Sequence, residues 1–349
     1  MCPVPRTAEG AAGSRPALLL AMGPGIAERL LTEAHRHRLA SLTRTDPRLV
    51  AHDLTAPPPA VATALAEAEL LLTCWGATPL DERVLDAAPQ LRAVVHAAGS
   101  VKHHITRACW DRGIAVTSAA AANARPVAEY TVASILLANK RVLHARHRYR
   151  QVRASHDWHE EIGSGGNYGR TVGVIGASRV GRRVIELLRP FDLGVLLYDP
   201  YVGAAGAALL GVEAVPLDEL CSRSDVVTVH APALAATRHV IDARRLALMS
   251  DGATLINTAR GSLVDTDALL PEVVSGRLHA VLDVTEPDVP PRDSPLYDLP
   301  NVVLTPHIAG SLGNEMHRLA DEALREVERY ALGEPFAERV DPAVLNRSA

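Results

Sequence analysis

The chain has 349 residues, of which 48% are hydrophobic and 22% are charged, a balance typical of a folded protein and not of a disordered or membrane-spanning one. This length suits two domains better than a single core. The 36 basic and 40 acidic side chains give a formal net charge of -4, and the only dense basic run, at 141–153, is typical of a solvated helix face, so we expect no nucleic-acid partner.

The N-terminal segment 1–16 lacks hydrophobic periodicity and is expected to be a mobile tail. The apolar run 17–22 is too short for a signal peptide and is interrupted at Gly23, so we expect a first strand and no membrane association. The four cysteines share no metal-ligand spacing, which predicts no structural metal and a reducing, cytoplasmic location. They are Cys2, Cys74, Cys109 and Cys221.

Short apolar runs alternate with helical stretches in the first third of the chain. This alternation predicts a parallel sheet covered by helices, with strands at 17–22, 69–73, 91–96 and 114–117. Pro126 is suited to a first helical turn, and the apolar spacing after it predicts a long helix at 126–141 that joins two lobes.

A second alternating series predicts six strands, at 171–175, 194–198, 226–230, 253–257, 279–283 and 302–305. Six strands with helices between them are typical of a doubly wound parallel sheet. The last predicted helix, at 315–332, returns to the first lobe. We therefore expect one domain at 1–120 completed by 312–349, and a second domain at 121–311.

A degenerate glycine turn follows the strand at 171–175. In a dinucleotide fingerprint the first glycine makes the tight turn, the second lets backbone approach the pyrophosphate and the third allows close packing of helix on strand. Gly176 and Gly181 match the first and third glycines, and Ser178 replaces the second. The serine hydroxyl has the chemistry to bind a phosphate, but the match alone also fits a purely structural turn.

Asp199 ends the next strand, 18 positions after Gly181 (199 − 181). A carboxylate at this place accepts hydrogen bonds from both ribose hydroxyls and repels a 2′-phosphate. Residues 200–203 offer no arginine or lysine. The pattern therefore favours NAD over NADP, with a helix cap or turn residue as the alternative role for Asp199.

Polar residues follow three strands of the second lobe, where an open α/β sheet usually binds ligands. Arg260 supplies a cation, Asp283 a carboxylate and His307 an imidazole. Each is weak evidence alone, because such residues are also common in surface loops. Together they predict a site for a polar or anionic small molecule.

From about residue 91 to its end, the chain resembles the D-isomer-specific 2-hydroxyacid dehydrogenases. The similar segments are 127–129, 176–181, 230–232 with Thr237, 257–265, 282–284 and 301–310. The resemblance implies a Rossmann domain that binds NAD, at 121–311, and a flavodoxin-like substrate domain. It also implies interconversion of a D-2-hydroxy acid and its 2-keto acid, with homodimerisation through the cofactor domain.

The resemblance also implies individual roles. Arg260 grips the substrate carboxylate and keto oxygen, His307 is the acid/base, and Asp283 touches the nicotinamide carboxamide. This agrees with the chemistry, because hydride arriving at a 2-keto carbon develops negative charge on the oxygen. The implied cofactor contacts are Gly176, Ser178, Arg179, Val180, Gly181, Asp199, His230, Ala231, Pro232, Thr237, Thr258, Ala259, Arg260, Asp283, His307 and Gly310.

Asp288 departs from the family pattern, which usually has a glutamate five positions after Asp283. A carboxylate hydrogen-bonded to His307 would fix the tautomer of the ring and favour its charged form. Aspartate is one methylene shorter than glutamate, so either the segment that carries Asp288 lies closer to His307 or the pairing is weaker. Glu286 is the neighbouring alternative.

The loop after the strand at 91–96 matches the segment that offers backbone N–H groups to the substrate in this family. It gives Gly99 and Ser100 as candidate substrate-binding residues. Val101 replaces the usual second glycine and His103 replaces a common aspartate, so the identity of the substrate does not carry over. Lys102 and His103 are either solvated or in contact with the substrate.

Two features argue against a phosphorylated substrate. The segment 73–76 lacks the arginine that phosphorylated-acid members often have, and the chain stops at Ala349 with no room for a regulatory domain. Trp75 indicates either an apolar side-chain pocket or simple packing.

The main alternative function is an NAD(H)-sensing binding protein, similar to the corepressor members of the family. Formate and phosphite oxidation are less favoured, because formate members carry an amide at position 288 and the loop at 99–101 lacks the lysine expected for phosphite.

Overall fold

The computed structural model describes residues 15–163, 165–343 and 345. The tail predicted at 1–16 therefore lies outside the described residues as far as position 14, and so does Cys2. The chain divides into two compact units. Unit 1 is formed by the residues up to 123 together with those from 311 to 346, and unit 2 is formed mainly by residues 124–310.

Unit 1 is built on a five-stranded sheet in which every pairing is parallel, in the order β2-β1-β3-β4-β5. This is the flavodoxin-like order, so the predicted fold class is confirmed for this unit. The sequence did not reveal β2, because two residues are too few to show an apolar pattern. The strands are β1 (Leu18–Ala21), β2 (Val50–Ala51), β3 (Leu70–Thr73), β4 (Ala93–His96) and β5 (Ala115–Ser118).

Helices cover both faces of this sheet, so β1, β3 and β4 are buried along their whole length. Their continuous apolar runs are typical of parallel strands that are covered on both sides. Each fully buried leucine contributes about 2 kcal/mol relative to an exposed one. The first helices are α1 (Ile26–Leu30), α2 (Glu33–Leu42), α3 (Pro59–Glu67), α4 (Glu82–Asp86) and α5 (Arg107–Asp111).

Unit 2 is built on a seven-stranded parallel sheet in the order β12-β11-β10-β9-β6-β7-β8. In chain order within the unit this is 3-2-1-4-5-6-7, the doubly wound order with one added strand, as predicted. The added strand is β12, at the edge of the sheet. The strand that the sequence pattern did not predict is β8, which has only two residues. The strands are β6 (Arg170–Ile175), β7 (Leu193–Tyr198), β8 (Glu213–Ala214), β9 (Val226–Val229), β10 (Thr254–Asn257), β11 (His279–Leu282) and β12 (Val302–Leu304).

The helix predicted at 126–141 begins earlier and ends sooner than expected, at Ala120 and Asn139. Pro126 lies inside this helix. The alanines at 120–122 are the strongest helix formers and extend it upstream of the proline. The remaining helices are α6 (Ala120–Asn139), α7 (Val142–Val152), α8 (Trp158–Ile162), α9 (Arg179–Leu188), α10 (Ala204–Leu210), α11 (Leu217–Arg223), α12 (Ala243–Leu248), α13 (Thr266–Val274) and α14 (Met316–Leu332).

The last helix, α14, belongs to unit 1, where it packs against α1, α2 and β4. Its buried face repeats at helical spacing and includes Leu319, Ala323 and Val327. In the described part of the chain, no helix has both the length and the apolar character needed to cross a bilayer.

Candidate active site

Five parallel strands of unit 2 end at one edge of its sheet, and each is followed by a segment that the sequence singled out. The glycine turn follows β6, residues 230–232 follow β9 and residues 258–261 follow β10. Asp283 follows β11, and residues 305–307 follow β12. Because β6 pairs with both β7 and β9, the point where the strand order reverses lies at this edge, and ligands of such sheets bind there.

Gly176 and Gly181 occupy positions that no other residue fits. Gly176 has φ +96°, and a Cβ on it would lie 2.8 Å from the Ala231 nitrogen. A Cβ on Gly181 would lie 2.0 Å from the Gly176 carbonyl oxygen. The glycine turn therefore lies closer to the first turn of α9 and to the end of β9 than any side chain would allow. Without side chains at these positions, the backbone can approach a pyrophosphate.

Ser178 is the N-cap of α9. It has φ −64°, a conformation that needs no glycine, and its hydroxyl accepts the Gly181 N–H at 3.3 Å. A cap of this kind satisfies one of the N–H groups that a helix start leaves unpaired. The serine that breaks the fingerprint thus has a structural role, and contact between its hydroxyl and a phosphate stays a prediction.

Asp199 follows β7 and ties that strand end to the glycine turn. One carboxylate oxygen accepts the Ala177 N–H at 2.7 Å and the other accepts the Tyr201 N–H at 2.8 Å. An ionised carboxylate has about four acceptor positions, so two remain for hydroxyl groups. The glycine turn, the N-terminus of α9 and this carboxylate together fit a dinucleotide.

The segment after β9 is held by a buried histidine and a threonine. His230 is 3% exposed, its Nε2 lies 2.9 Å from the Thr228 hydroxyl, and burial lowers the pKa of His230 to about 3, so the ring is neutral. The Thr237 hydroxyl donates to the Pro232 carbonyl at 2.5 Å and accepts the Leu234 N–H at 2.9 Å. These bonds close the loop that begins at Ala231 and Pro232.

Asn257 shapes the segment that carries Arg260, a role that sequence reasoning did not assign to it. Its side-chain oxygen accepts the Ala259 N–H at 3.1 Å, and its amide nitrogen donates to the Arg260 carbonyl at 2.9 Å. Thr258 lies 3.2 Å, hydroxyl to hydroxyl, from Thr131 on α6. The only signal in the sequence is that a fully buried strand ends in an amide.

Arg260 lies where the segments after β10 and β11 meet. A Cβ on Gly261 would lie 2.0 Å from the Thr285 carbonyl oxygen, so only glycine permits this approach. The Arg260 guanidinium donates to the Ala259 carbonyl at 2.6 Å. Burial lowers the pKa of Arg260 and the negative charge of Asp288 acts in the opposite direction, but the group stays charged at neutral pH.

Asp283 holds the loop that carries His307. The Asp283 carboxylate is 1% exposed and accepts three hydrogen bonds, from the Thr305 hydroxyl at 2.7 Å, the Ile308 N–H at 2.8 Å and the Ala309 N–H at 2.9 Å. The His307 N–H donates to the Asp283 carbonyl at 2.9 Å. With three of its acceptor positions used, contact between Asp283 and a carboxamide stays a prediction.

Sequence reasoning also assigned no role to two hydroxyls behind Asp283. Tyr130 on α6 lies 3.0 Å from the Thr305 hydroxyl, and since Thr305 donates to Asp283, the tyrosine is the donor in this contact. Burial raises the pKa of Tyr130. Neither hydroxyl belongs to a charged or glycine-rich motif, so only the fold connects them to the site.

His307 is exposed and has φ +56°, a left-handed backbone conformation that is uncommon for a residue other than glycine. Across the described residues, no ion pair links the His307 ring to Asp288 or Glu286. Glu286 instead accepts from Arg238 at 2.8 Å and lies 3.6 Å from His239, and the Arg238 bond lowers the pKa of Glu286. The expected carboxylate–histidine pair is therefore not formed here.

In unit 1, the candidate substrate loop follows β4. A Cβ on Gly99 would lie 3.3 Å from the side-chain nitrogen of Asn123, so this glycine is closely packed. Ser100 is half-buried, whereas Lys102 and His103 are exposed. Trp75, after β3, is 40% exposed, and its carbonyl accepts the Gly23 N–H at 2.8 Å.

The sequence of unit 2 matches a known protein family. Residues 132–309, just over half the chain, match the model described as "D-isomer specific 2-hydroxyacid dehydrogenase, NAD binding domain". The chain belongs to this family. Because the matched model is the NAD-binding domain of the family, the prediction of NAD as cofactor is also confirmed.

Two curated proteins and one solved structure illustrate the relatives of this family member. It is 37% identical over 287 residues to D-3-phosphoglycerate dehydrogenase of Mycobacterium leprae, covering 81% of this chain and 53% of that protein. It is 34% identical to glyoxylate reductase of Korarchaeum cryptofilum, covering 77% and 80%. The structure of Aquifex aeolicus D-lactate dehydrogenase, complexed with NAD and lactic acid, matches with 29% identity and a TM-score of 0.68 over 91% and 96% of the two chains.

The family member spans about half the length of the phosphoglycerate dehydrogenases it matches. The relatives named above are all enzymes, so the comparisons do not favour the alternative of an NAD(H)-sensing binding protein.

Proposed function

We propose that the protein is an NAD-dependent oxidoreductase that interconverts a D-2-hydroxy acid and its 2-keto acid by direct hydride transfer. The observation that carries this proposal is the convergence of the glycine turn, Asp199, Arg260 and His307 on one edge of the unit 2 sheet. A sensor of NAD(H) needs only the first two of these groups. The presence of the Arg260 guanidinium and the His307 imidazole as well favours catalysis.

The cofactor roles follow from the geometry at that edge. Gly176 and Gly181 bring backbone close enough to hold the pyrophosphate at the N-terminus of α9. The two acceptor positions left on Asp199 suit the hydroxyls of the adenine ribose, and its charge disfavours a 2′-phosphate. NAD, when bound, supplies or accepts the hydride.

The substrate roles rest on charge. The planar guanidinium of Arg260 suits a carboxylate and an adjacent keto oxygen, because its fork pairs with two oxygens at once. His307 donates a proton to the keto oxygen during reduction and removes it during oxidation. The negative charge of Asp288 favours the charged form of Arg260. Gly99 and Ser100 hold the substrate through their backbone N–H groups.

The substrate class is a small 2-keto or 2-hydroxy acid. The relatives are named for phosphoglycerate, glyoxylate and lactate, which share this chemical group and differ in the rest of the molecule. In this proposal unit 1 is the substrate domain and unit 2 the NAD-binding domain. The protein acts in the cytoplasm.

The proposed assembly is a homodimer formed through unit 2. An apolar cavity of about 280 Å³ lies between α6, the start of α7 and three strands of the sheet, β10, β11 and the edge strand β12. Leu137 is 52% exposed beside it, and Val142 and Leu143 are each 37% exposed. An apolar surface of this kind on a helix and an edge strand suits a second copy of the chain.

Substitution of the two charged groups tests the proposed function. We expect His307→Gln and Arg260→Gln to retain NADH binding through the glycine turn and Asp199, and to lose keto-acid reduction by at least about a hundredfold in kcat/KM. NADH binding is measured by fluorescence titration and reduction by the oxidation of NADH. Full activity in both variants would rule out these roles.

A further inference from the structure

Three polar side chains form a fully buried cluster beneath the candidate substrate loop of unit 1. Thr73 ends β3 and His96 ends β4, and the two are register partners in the sheet. His104 ends the loop. Thr73 is 0% exposed and each histidine is 3% exposed. Buried imidazoles are costly unless their nitrogens are paired, so their partners show what the cluster does.

The Thr73 hydroxyl lies between the two rings. It is 2.9 Å from Nδ1 of His96 and 3.2 Å from Nε2 of His104, and the ring centroids are 4.3 Å apart. A hydroxyl has one hydrogen to donate, so one ring accepts from Thr73 and the other donates to it. The three groups therefore form a directed chain of hydrogen bonds.

Burial keeps both rings in the neutral form that this chain requires. Burial lowers the pKa of His104 to about 4, with the charge of His103 acting in the same direction. Burial also lowers the pKa of His96 well below its ordinary value, with His104 and His103 contributing. Lys102 and His103 are the exposed basic neighbours on the loop.

The hydrogen-bonded cluster holds the loop at both ends. His96 lies directly before residues 97–103 and His104 lies directly after them, so the Thr73 hydroxyl joins the two ends of the loop. Within the described part of the chain, the N–H groups of Gly99, Ser100 and Val101 donate to no residue. The His104 N–H bonds to the Val101 carbonyl at 3.3 Å, which anchors the same loop at its other end.

We propose that Thr73, His96 and His104 are positioning residues that hold the N–H groups of residues 99–101 in the orientation that binds the carboxylate of the substrate. The inference rests on the proposed function. His96 and His104 act through the backbone and touch no substrate. Val101, which takes the place of a more mobile glycine, adds to the same rigidity.

A pair of substitutions at Thr73 separates hydrogen bonding from packing. Thr73→Val keeps the shape and removes the hydroxyl, whereas Thr73→Ser keeps the hydroxyl and removes a methyl group. We expect Thr73→Val to raise KM for the keto acid about tenfold, with kcat and KM for NADH little changed, and Thr73→Ser to match the unaltered protein. Thr63→Val, an exposed threonine on α3, is the matched control.

Amide hydrogen exchange of a peptide that covers residues 97–104 gives a second readout that needs no activity. Exchange should be faster in Thr73→Val alone. If Thr73→Val fails to fold, His104→Leu replaces it, with the same expected direction. An unchanged KM and unchanged exchange, or equal effects of the valine and serine variants, would overturn the proposal. If the unaltered protein reduces no keto acid, the proposed function fails, and the exchange measurement still decides the hydrogen-bond chain.

Discussion

Ser178 shows how a glycine of the dinucleotide fingerprint can be replaced without changing the turn. Its φ is ordinary, and its hydroxyl caps α9 through the Gly181 N–H. We therefore expect Ser178→Ala to lower the free energy of unfolding by about 1 kcal/mol and Ser178→Gly by only a few tenths. Urea unfolding measures both. NADH binding much tighter in Ser178→Gly would mean that the serine obstructs the cofactor, and weaker binding would mean that its hydroxyl also holds phosphate.

His230 predicts a pH dependence of stability. Its pKa is about 3 in the folded protein and about 6.5 in an unfolded chain. Between these values the unfolded state binds the proton and the folded state does not, so the free energy of unfolding falls as the pH falls from 7 towards 3.

From pH 7 to pH 5 this one residue accounts for a loss of about 2 kcal/mol. The nucleotide-free His230→Gln variant should lose correspondingly less over the same interval when unfolded with urea. An equal loss in the variant and the unaltered protein would contradict the assignment.

Single residues also show which parts of the candidate site could be predicted from the sequence. Arg260, His307 and Asp199 could be predicted because charged groups directly after apolar strands stand out in the chain. Asn257, Thr305 and Tyr130 could not, because an amide or hydroxyl acquires its role only from the group it meets, which lies far away in sequence for two of the three.

At the scale of elements, the segment after β11 follows a path that its sequence did not predict. The sequence suggested that Asp288 or Glu286 pairs with His307, but Glu286 is held by Arg238 and Asp288 is exposed. Spacing along the chain says how far a side chain is from Asp283 in sequence. Spacing does not give the direction in which the segment turns. That direction depends on tertiary contacts, such as the close approach of Gly261 to the backbone of Thr285.

Substitution of Asp288 tests this arrangement. We expect Asp288→Asn to change KM for the keto acid through Arg260, and to move the acid limb of the kcat/KM profile by less than about half a pH unit. Glu286→Gln serves as the comparison. A displacement of a full pH unit in Asp288→Asn alone would show that Asp288 does pair with His307 in the working enzyme.

The strands themselves were largely predictable, because parallel strands covered on both faces read as continuous apolar runs. Only β2 and β8, with two residues each, carried too little pattern. The start of α6 was misplaced because Pro126, which suits a first helical turn, lies inside this helix, where it donates no backbone hydrogen bond.

At the scale of the whole molecule, the proposed homodimer gives a direct prediction. Leu137→Asp places a charge on the apolar surface beside α6, and burying that charge in an interface is unfavourable. The variant should elute as a monomer in size-exclusion chromatography with light scattering. Leu209→Asp, on α10 and 86% exposed, is the matched control and should leave the assembly unchanged. A dimer in both variants would place the interface elsewhere.

The central claim is NADH-dependent reduction of a 2-keto acid, and the most direct measurement is oxidation of NADH and NADPH against glyoxylate, pyruvate, hydroxypyruvate and phenylpyruvate. We predict turnover of at least one of these acids, a D-2-hydroxy acid as product, and a kcat/KM at least about tenfold higher with NADH than with NADPH, because Asp199 repels the 2′-phosphate. Tight binding of NADH with no turnover across this panel would contradict the account.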